Sequence, residues 1–198
     1  MDEKKATRQA YGEALAELGK DKNIVVLSAD LTDSTKTNLF ADKFPDRFFQ
    51  CGVAEQNMVG MAAGLALSGK TPFISTFAAF VPNRTLDQIR ISVCYNNANV
   101  KFGITHAGLS VGKDGATHQA LEDIAIMRSL PNMRVVVPCD YEETKKAVKE
   151  SAKIKGPIYL RLGRSKTPMI TDKKSFFKIG KANILKKGSD VTIIACGI

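Results

Sequence analysis

The 198-residue sequence predicts an α/β fold: a doubly wound, mostly parallel sheet with helices on both faces, followed by the start of a truncated second α/β domain. Three observations carry that expectation. Short, continuously apolar, β-branched runs recur along the chain, as in strands buried on both faces. Between them lie segments whose apolar residues fall three and four apart, at the rhythm of βα units. The runs give way to polar, Gly-containing loops, where parallel strands deliver their carboxyl ends. An apolar content of 44% is enough for a core of this size.

In chain order, Ala6, Ala10, Ala14, Leu15 and Leu18 predict an amphipathic helix from Lys4 to Lys20, with Gly19 as its stop. Ile24 to Leu27 is the first strand, ending in Ser28-Ala29-Asp30-Leu31-Thr32-Asp33-Ser34. A helix over Val53 to Ser68 precedes a strand over Pro72 to Thr76, and a helix over Pro82 to Tyr95 precedes one over Val100 to Thr105. Helix Leu121 to Leu130, strand Val135 to Val137, helix Tyr141 to Ile154 and strand Ile158 to Leu162 complete the alternation. The pattern dissolves after Gly163 and resumes in the apolar run Val191 to Ala195. The expected division is therefore one domain over residues 1–165, a basic linker over 166–189, and the first strand of a truncated domain over 190–198.

A net charge of +9 raises the question of a polyanionic partner, but residues 141–190 hold 14 basic against 5 acidic side chains and so contain the whole excess. Lys145, Lys146, Lys149 and Lys153 recur at helical spacing opposite Ala147, Val148, Ala152 and Ile154, the pattern of a solvated helix face. Aromatic interleaving of the kind that stacks bases is missing, so no nucleic-acid partner is expected. No apolar run is long enough to span a bilayer and the N-terminus lacks a secretory apolar stretch, so no membrane partner is expected and the protein is placed in the cytoplasm. Cys51, Cys94, Cys139 and Cys196 are widely separated and only two histidines accompany them, so each is expected to be a reduced core thiol and no metal site is expected.

Three stretches carry candidate chemistry. Glu55 opens a helix of small and apolar residues, Met58, Gly60, Met61, Ala62, Ala63, Gly64 and Ala66, which is expected to be buried. The amides of a first helical turn favour a carboxylate there, yet once desolvated it needs a partner; a simple helix cap is the alternative. Phe77 and Phe80 leave the end of a strand three residues apart and can form a flat apolar wall, or simply core. The loop from Thr105 to Gln119 places both histidines, His106 and His118, together with Asp114 and several glycines beyond one strand.

Cys51-Gly52-Val53-Ala54-Glu55-Gln56-Asn57-Met58, the segment 77–90, the stretch 106–119 and Arg128-Ser129-Leu130-Pro131-Asn132 occur in the same order and at similar intervals in the pyrimidine-binding domain of transketolases. Over about residues 5–170 the chain resembles the C-terminal section of a split transketolase, in which two polypeptides share one enzyme. The resemblance implies thiamine diphosphate as cofactor and transfer of a two-carbon ketol unit between sugar phosphates, a reaction of the pentose phosphate pathway. It makes Glu55 the catalytic carboxylate that hydrogen-bonds and protonates the aminopyrimidine ring, so that the exocyclic imino form can take the thiazolium proton. Phe77 and Phe80 match aromatics that pack on the pyrimidine, while Asn83 stands where the family carries a third. Asp30 matches an aspartate near the cofactor at the subunit interface. Ser34, His106 and Arg164 match phosphate-binding residues; Asp114 and His118 match residues that read sugar hydroxyls, with His118 also placed among the catalytic groups.

In the family a Gly-Asp-Gly motif and a following asparagine hold the diphosphate and its Mg2+ or Ca2+ on a separate domain, and no Gly-Asp-Gly occurs in these 198 residues. The resemblance therefore implies a partner, the N-terminal transketolase subunit, and a homodimer built through the faces carrying Glu55 and Asp30. Within the same chemistry, 1-deoxyxylulose-5-phosphate synthase shares the Asp-Gly-x-Thr-His-Gln string but differs at His106, and the beta subunits of 2-oxo-acid dehydrogenases are less similar. A non-catalytic module that retains the fold is the alternative from another class.

Overall fold

In the computed structural model, which describes residues 3–198, a short strand β1 (Lys4–Ala6) leads into helix α1 (Thr7–Leu18). There follow β2 (Ile24–Ser28), the single-turn helices α2 (Thr32–Thr35) and α3 (Asn38–Ala41), β3 (Phe48–Gln50), α4 (Glu55–Leu67), β4 (Thr71–Ser75) and α5 (Val81–Gln88). Next come β5 (Lys101–Ile104), α6 (Asp123–Ser129), β6 (Arg134–Val136), α7 (Tyr141–Lys153), β7 (Ile158–Arg161) and β8 (Lys166–Pro168). Six strands form one sheet in the order β3-β2-β4-β5-β7-β6, every neighbouring pair parallel. The chain leaves β2 for the edge at β3, then crosses back to β4 on the other side. The crevice beyond the carboxyl ends of β2 and β4 is thus a topological switch point, where such sheets bind ligands.

Alternate residues of each strand feed two cores. Val25, Leu27, Ile74, Phe102 and Tyr159 pack with Met58, Val59 and Ala62 of α4, Val81 of α5 and Met127 of α6. Ile24, Val26, Phe73, Ile158 and Leu160 face the other way, onto Tyr11 and Leu15 of α1, Phe40 of α3 and Val148 of α7. The basic face of α7 is not merely solvated. Lys145 and Lys149 pair with Glu17 of α1 at 2.9 and 2.6 Å, and the Lys146 ammonium donates to the carbonyls of Asp172 and Ser175.

At one point packing depends on the lack of a side chain. A Cβ at Gly103 would lie 2.0 Å from the buried ring of Tyr11, whose hydroxyl shares a 2.6 Å hydrogen bond with Ser75. Gly103→Ala is therefore expected to displace that ring and destabilise the fold by about 1–3 kcal/mol. A lowered urea midpoint at unchanged slope is the expected result; an unchanged midpoint would show that Tyr11 has room to move.

Core strands and long helices lie within a few residues of their expected bounds, and the departures have local causes. Residues 4–6 form no helical turn because β1 pairs with β8 in a separate antiparallel ribbon. The helix expected to run to Tyr95 changes to π geometry over Ile89–Tyr95. Helix α4 is buried on one face only: Met58, Val59, Ala62 and Ala63 are inside, while Gly60, Met61, Gly64 and Leu67 are exposed. Of the cysteines only Cys94 is buried; Cys51 and Cys139 are half-buried and Cys196 is exposed, and all four are free. The strand expected at Val191–Ala195 is not formed. An extended apolar run needs a neighbour to satisfy its backbone groups, none of the described residues supplies one, and Val191, Ile193 and Ile194 are exposed.

Candidate active site

Every candidate side chain except Ser34, Asp114 and His118 lies within a few residues of a strand's carboxyl end or at the start of the following helix. Beyond β4 and β5 the two chains stay paired for one further step, through Ala78 N–H to the Thr105 carbonyl and Thr105 N–H to the Thr76 carbonyl. That step sets Phe77 face to face with His106, ring centroids 3.8 Å apart and 26° between planes. Phe80 stacks on Phe77 at 5.7 Å, and His118 meets both phenylalanines edge-on at 6.4 and 5.5 Å. The result is one aromatic surface assembled from two loops, the one after β4 and the one after β5.

His106 is 1% exposed and holds a left-handed backbone, φ 57°, a conformation few non-glycine residues adopt without a constraining environment. Its Nδ1 lies 2.9 Å from Thr105 Oγ1 and its Nε2 3.9 Å from Asp114. Burial, with the nearby charge of Arg8, pushes its pKa down to about 4 from an ordinary 6.5, against the opposing pull of Asp114. The imidazole is accordingly neutral at pH 7. Between pH 6.5 and about 4 the unfolded chain binds a proton that the folded chain refuses, so stability falls as pH falls through that window. His106→Asn, which tolerates a left-handed backbone, is expected to flatten that slope in urea titrations; an unaltered slope would assign the dependence elsewhere.

Positive charge at this end of the crevice comes from arginines. Arg164, in the loop after β7, has Nε 3.9 Å from Asp114, and a Cβ at Gly112 (φ 67°) would lie 2.3 Å from its guanidinium. Arg8, in the first turn of α1, donates to the Ser34 carbonyl at 2.8 Å; burial and then repulsion by Arg164 lower its pKa. Thr7 holds the two together, its Oγ1 accepting from the Gly163 amide at 2.8 Å. Two guanidinium groups with Asp114 as the nearby carboxylate leave a net positive cluster suited to a phosphate group. Arg8 carries no signal in the sequence, where it is one more charged residue on an amphipathic helix.

Glu55, first residue of α4, is 5% exposed and forms a 2.8 Å ion pair with Arg84. The Arg84 guanidinium in turn lies 4.0 Å from the centroid of the Phe80 ring. Nothing in the sequence around Arg84 singles it out either. Asn83 donates to Glu122 at 3.0 Å, so the position where the family has an aromatic is turned toward the 106–120 loop. The ends of that loop are joined by the Gly108 amide donating to the Ala120 carbonyl. Beneath it, buried Asp123 accepts from Arg161 Nε at 2.8 Å and from the Tyr159 hydroxyl at 3.0 Å. Asp30 stands apart: its carboxylate is exposed and makes no hydrogen bond among the described residues, while its amide donates to Gln50. Among the described residues no group of three His, Cys, Asp or Glu side chains converges for a metal ion.

Residues 3–169 match the family described as transketolase, pyrimidine binding domain. The chain belongs to the transketolase family. It is 53% identical over 196 residues to a protein of Methanocaldococcus jannaschii named as a transketolase C-terminal section, covering 98% of this chain and 62% of that protein. It is 41% identical over 194 residues to one of the subunits of the apulose-4-phosphate transketolase of Phocaeicola vulgatus, covering 97% of this chain and 62% of that protein. A solved structure of a split gene transketolase, inactive beta4 tetramer, superposes with a TM-score of 0.88 at 54% identity, covering 97% of this chain and 62% of that one. The chain thus spans about 62% of the length of these relatives. Transketolases use thiamine diphosphate, and the donor set fits its aminopyrimidine: Glu55 is a buried carboxylate whose protein partner is a half-exposed arginine, next to an aromatic wall that can take a planar ring.

Proposed function

We propose that this chain is the C-terminal section of a split transketolase that moves a two-carbon ketol unit from a ketose phosphate to an aldose phosphate. The observation that carries this reading is a continuous row of side chains, from Glu55 and the Phe77–Phe80 wall through His106 and Asp114 to Arg164, with Arg8 beside it. Bound thiamine diphosphate supplies the carbon nucleophile that carries the two-carbon unit. Glu55 holds a proton at the pyrimidine ring, and Phe77 and Phe80 fix the plane of that ring. Arg8 and Arg164, with Ser34 and neutral His106, bind the sugar phosphate. Asp114 and His118 orient the sugar hydroxyls, and His118, edge-on to the aromatic wall, is the side chain to which this reading gives proton exchange with substrate. Asp30, open to a neighbour, belongs to the interface side of the cofactor.

In this reading the diphosphate and its Mg2+ or Ca2+ are held by an N-terminal partner chain, which the likeness to a transketolase C-terminal section and to a split gene transketolase supports, and catalysis requires both. The exposed apolar face of α4, with Val53, Met61 and Leu67 around Gly60 and Gly64, is the surface on which copies of the chain pair. The cytoplasm and the pentose phosphate pathway follow from the same reading. Calorimetric titration of thiamine diphosphate with Mg2+ into the chain, its partner and their mixture tests it. Binding strengthened by mixing is expected; equal binding by the partner alone would remove Glu55 and the aromatic wall from the site.

A further inference from the structure

We infer that Arg84 is a latch on the cofactor crevice: its guanidinium occupies Glu55 and the face of Phe80 and must swing aside before an aminopyrimidine can bind. The inference rests on the reading of thiamine diphosphate as the cofactor. A guanidinium and an aminopyrimidine present the same chemistry to these two residues, an N–H directed at a carboxylate and a planar face laid on an aromatic ring. Arg84 makes both contacts, 2.8 Å to Glu55 Oε1 and 4.0 Å to the Phe80 centroid. It answers the need for a partner that a carboxylate 5% exposed would otherwise leave unmet.

The arrangement can open without repacking the fold. The Arg84 carbonyl accepts from Gln56 Nε2 at 2.8 Å, which ties its backbone to α4, whereas its side chain is 47% exposed. Only side-chain torsions have to change, and the released guanidinium enters solvent. While the latch is closed the site is blocked, so the apparent affinity for the cofactor is reduced by the fraction of molecules in the open state. Arg84 holds the buried carboxylate paired when the crevice is empty, at the cost of weaker cofactor binding.

The test is the dissociation constant of thiamine diphosphate, with Mg2+ and the partner chain, for the wild type, Arg84→Ala and Arg84→Lys, with folding checked by circular dichroism. Arg84→Ala is expected to bind on the order of tenfold more tightly, the gain for a latch closed in about nine molecules of ten. Arg84→Lys, which keeps the charge but not the planar fork, is expected to fall between the two. Affinity unchanged or weakened in Arg84→Ala would overturn the latch and leave the cofactor assignment standing. Absence of binding in the wild type and both variants would overturn both, and binding gained only in Arg84→Ala would support both.

Discussion

Glu55→Ala is expected to lower two-carbon transfer by roughly 10²–10⁴-fold, the usual worth of a positioned acid/base group. The structure separates this from the loss of a helix cap, because the Glu55 carboxylate bonds to Arg84 rather than to an amide of its own helix. A lost cap costs about 1 kcal/mol of stability and leaves the chemistry alone. Here the variant frees a half-exposed arginine to reach water, so the thermal midpoint is expected to move little while activity collapses. A lowered midpoint with activity per folded molecule preserved would make Glu55 a structural residue.

The largest expected effect on stability lies beneath the 106–120 loop. Asp123 is wholly buried and Arg161 is its cationic partner at 2.8 Å. Arg161 also lies against Gly108, where a Cβ would be 3.3 Å from its guanidinium, and donates to the Ala120 carbonyl at 3.4 Å. It therefore supports both ends of the loop that carries Asp114 and His118. Arg161→Leu leaves an uncompensated buried carboxylate and is expected to cost about 3–5 kcal/mol. For a chain of this size that is roughly 2–4 °C in midpoint per kcal/mol. Adding Asp123→Leu removes the stranded charge and is expected to recover a substantial part of the loss; additive losses in the double variant would show that the two residues act independently.

The sheet was legible because Ile24–Leu27, Val100–Thr105 and Ile158–Leu162 are buried on both faces and advertise it by continuous apolar runs. β3 was not: Phe48-Phe49-Gln50 is an edge strand of three residues after the charged stretch Pro45-Asp46-Arg47, and only its pairing with β2 defines it. β1 was hidden for another reason. Lys4-Lys5-Ala6 continues the helical periodicity of α1, and its partner β8 lies some 160 residues away in sequence. In the candidate site, residues gathered in one loop, such as His106, Asp114 and His118, could be nominated from the sequence. Arg8 and Arg84 could not, since only tertiary contacts carry these surface-type side chains to a distant partner, Arg164 in one case and Glu55 in the other. The sequence offered the helix over Val53 to Ser68 as interface, but not which of its faces is open, because small apolar residues look alike whether they face a core or a neighbouring chain.

We propose that this chain supplies one half of a transketolase site and that a partner with the Gly-Asp-Gly motif supplies the other. The most direct test is the steady-state rate of two-carbon transfer from a ketose phosphate to an aldose phosphate, measured with thiamine diphosphate and Mg2+ for each chain alone and for the mixture. Turnover is expected in the mixture, saturating at a fixed ratio of the chains, and none in either component. Turnover by the partner alone, or no turnover in a mixture that demonstrably binds the cofactor, would contradict it.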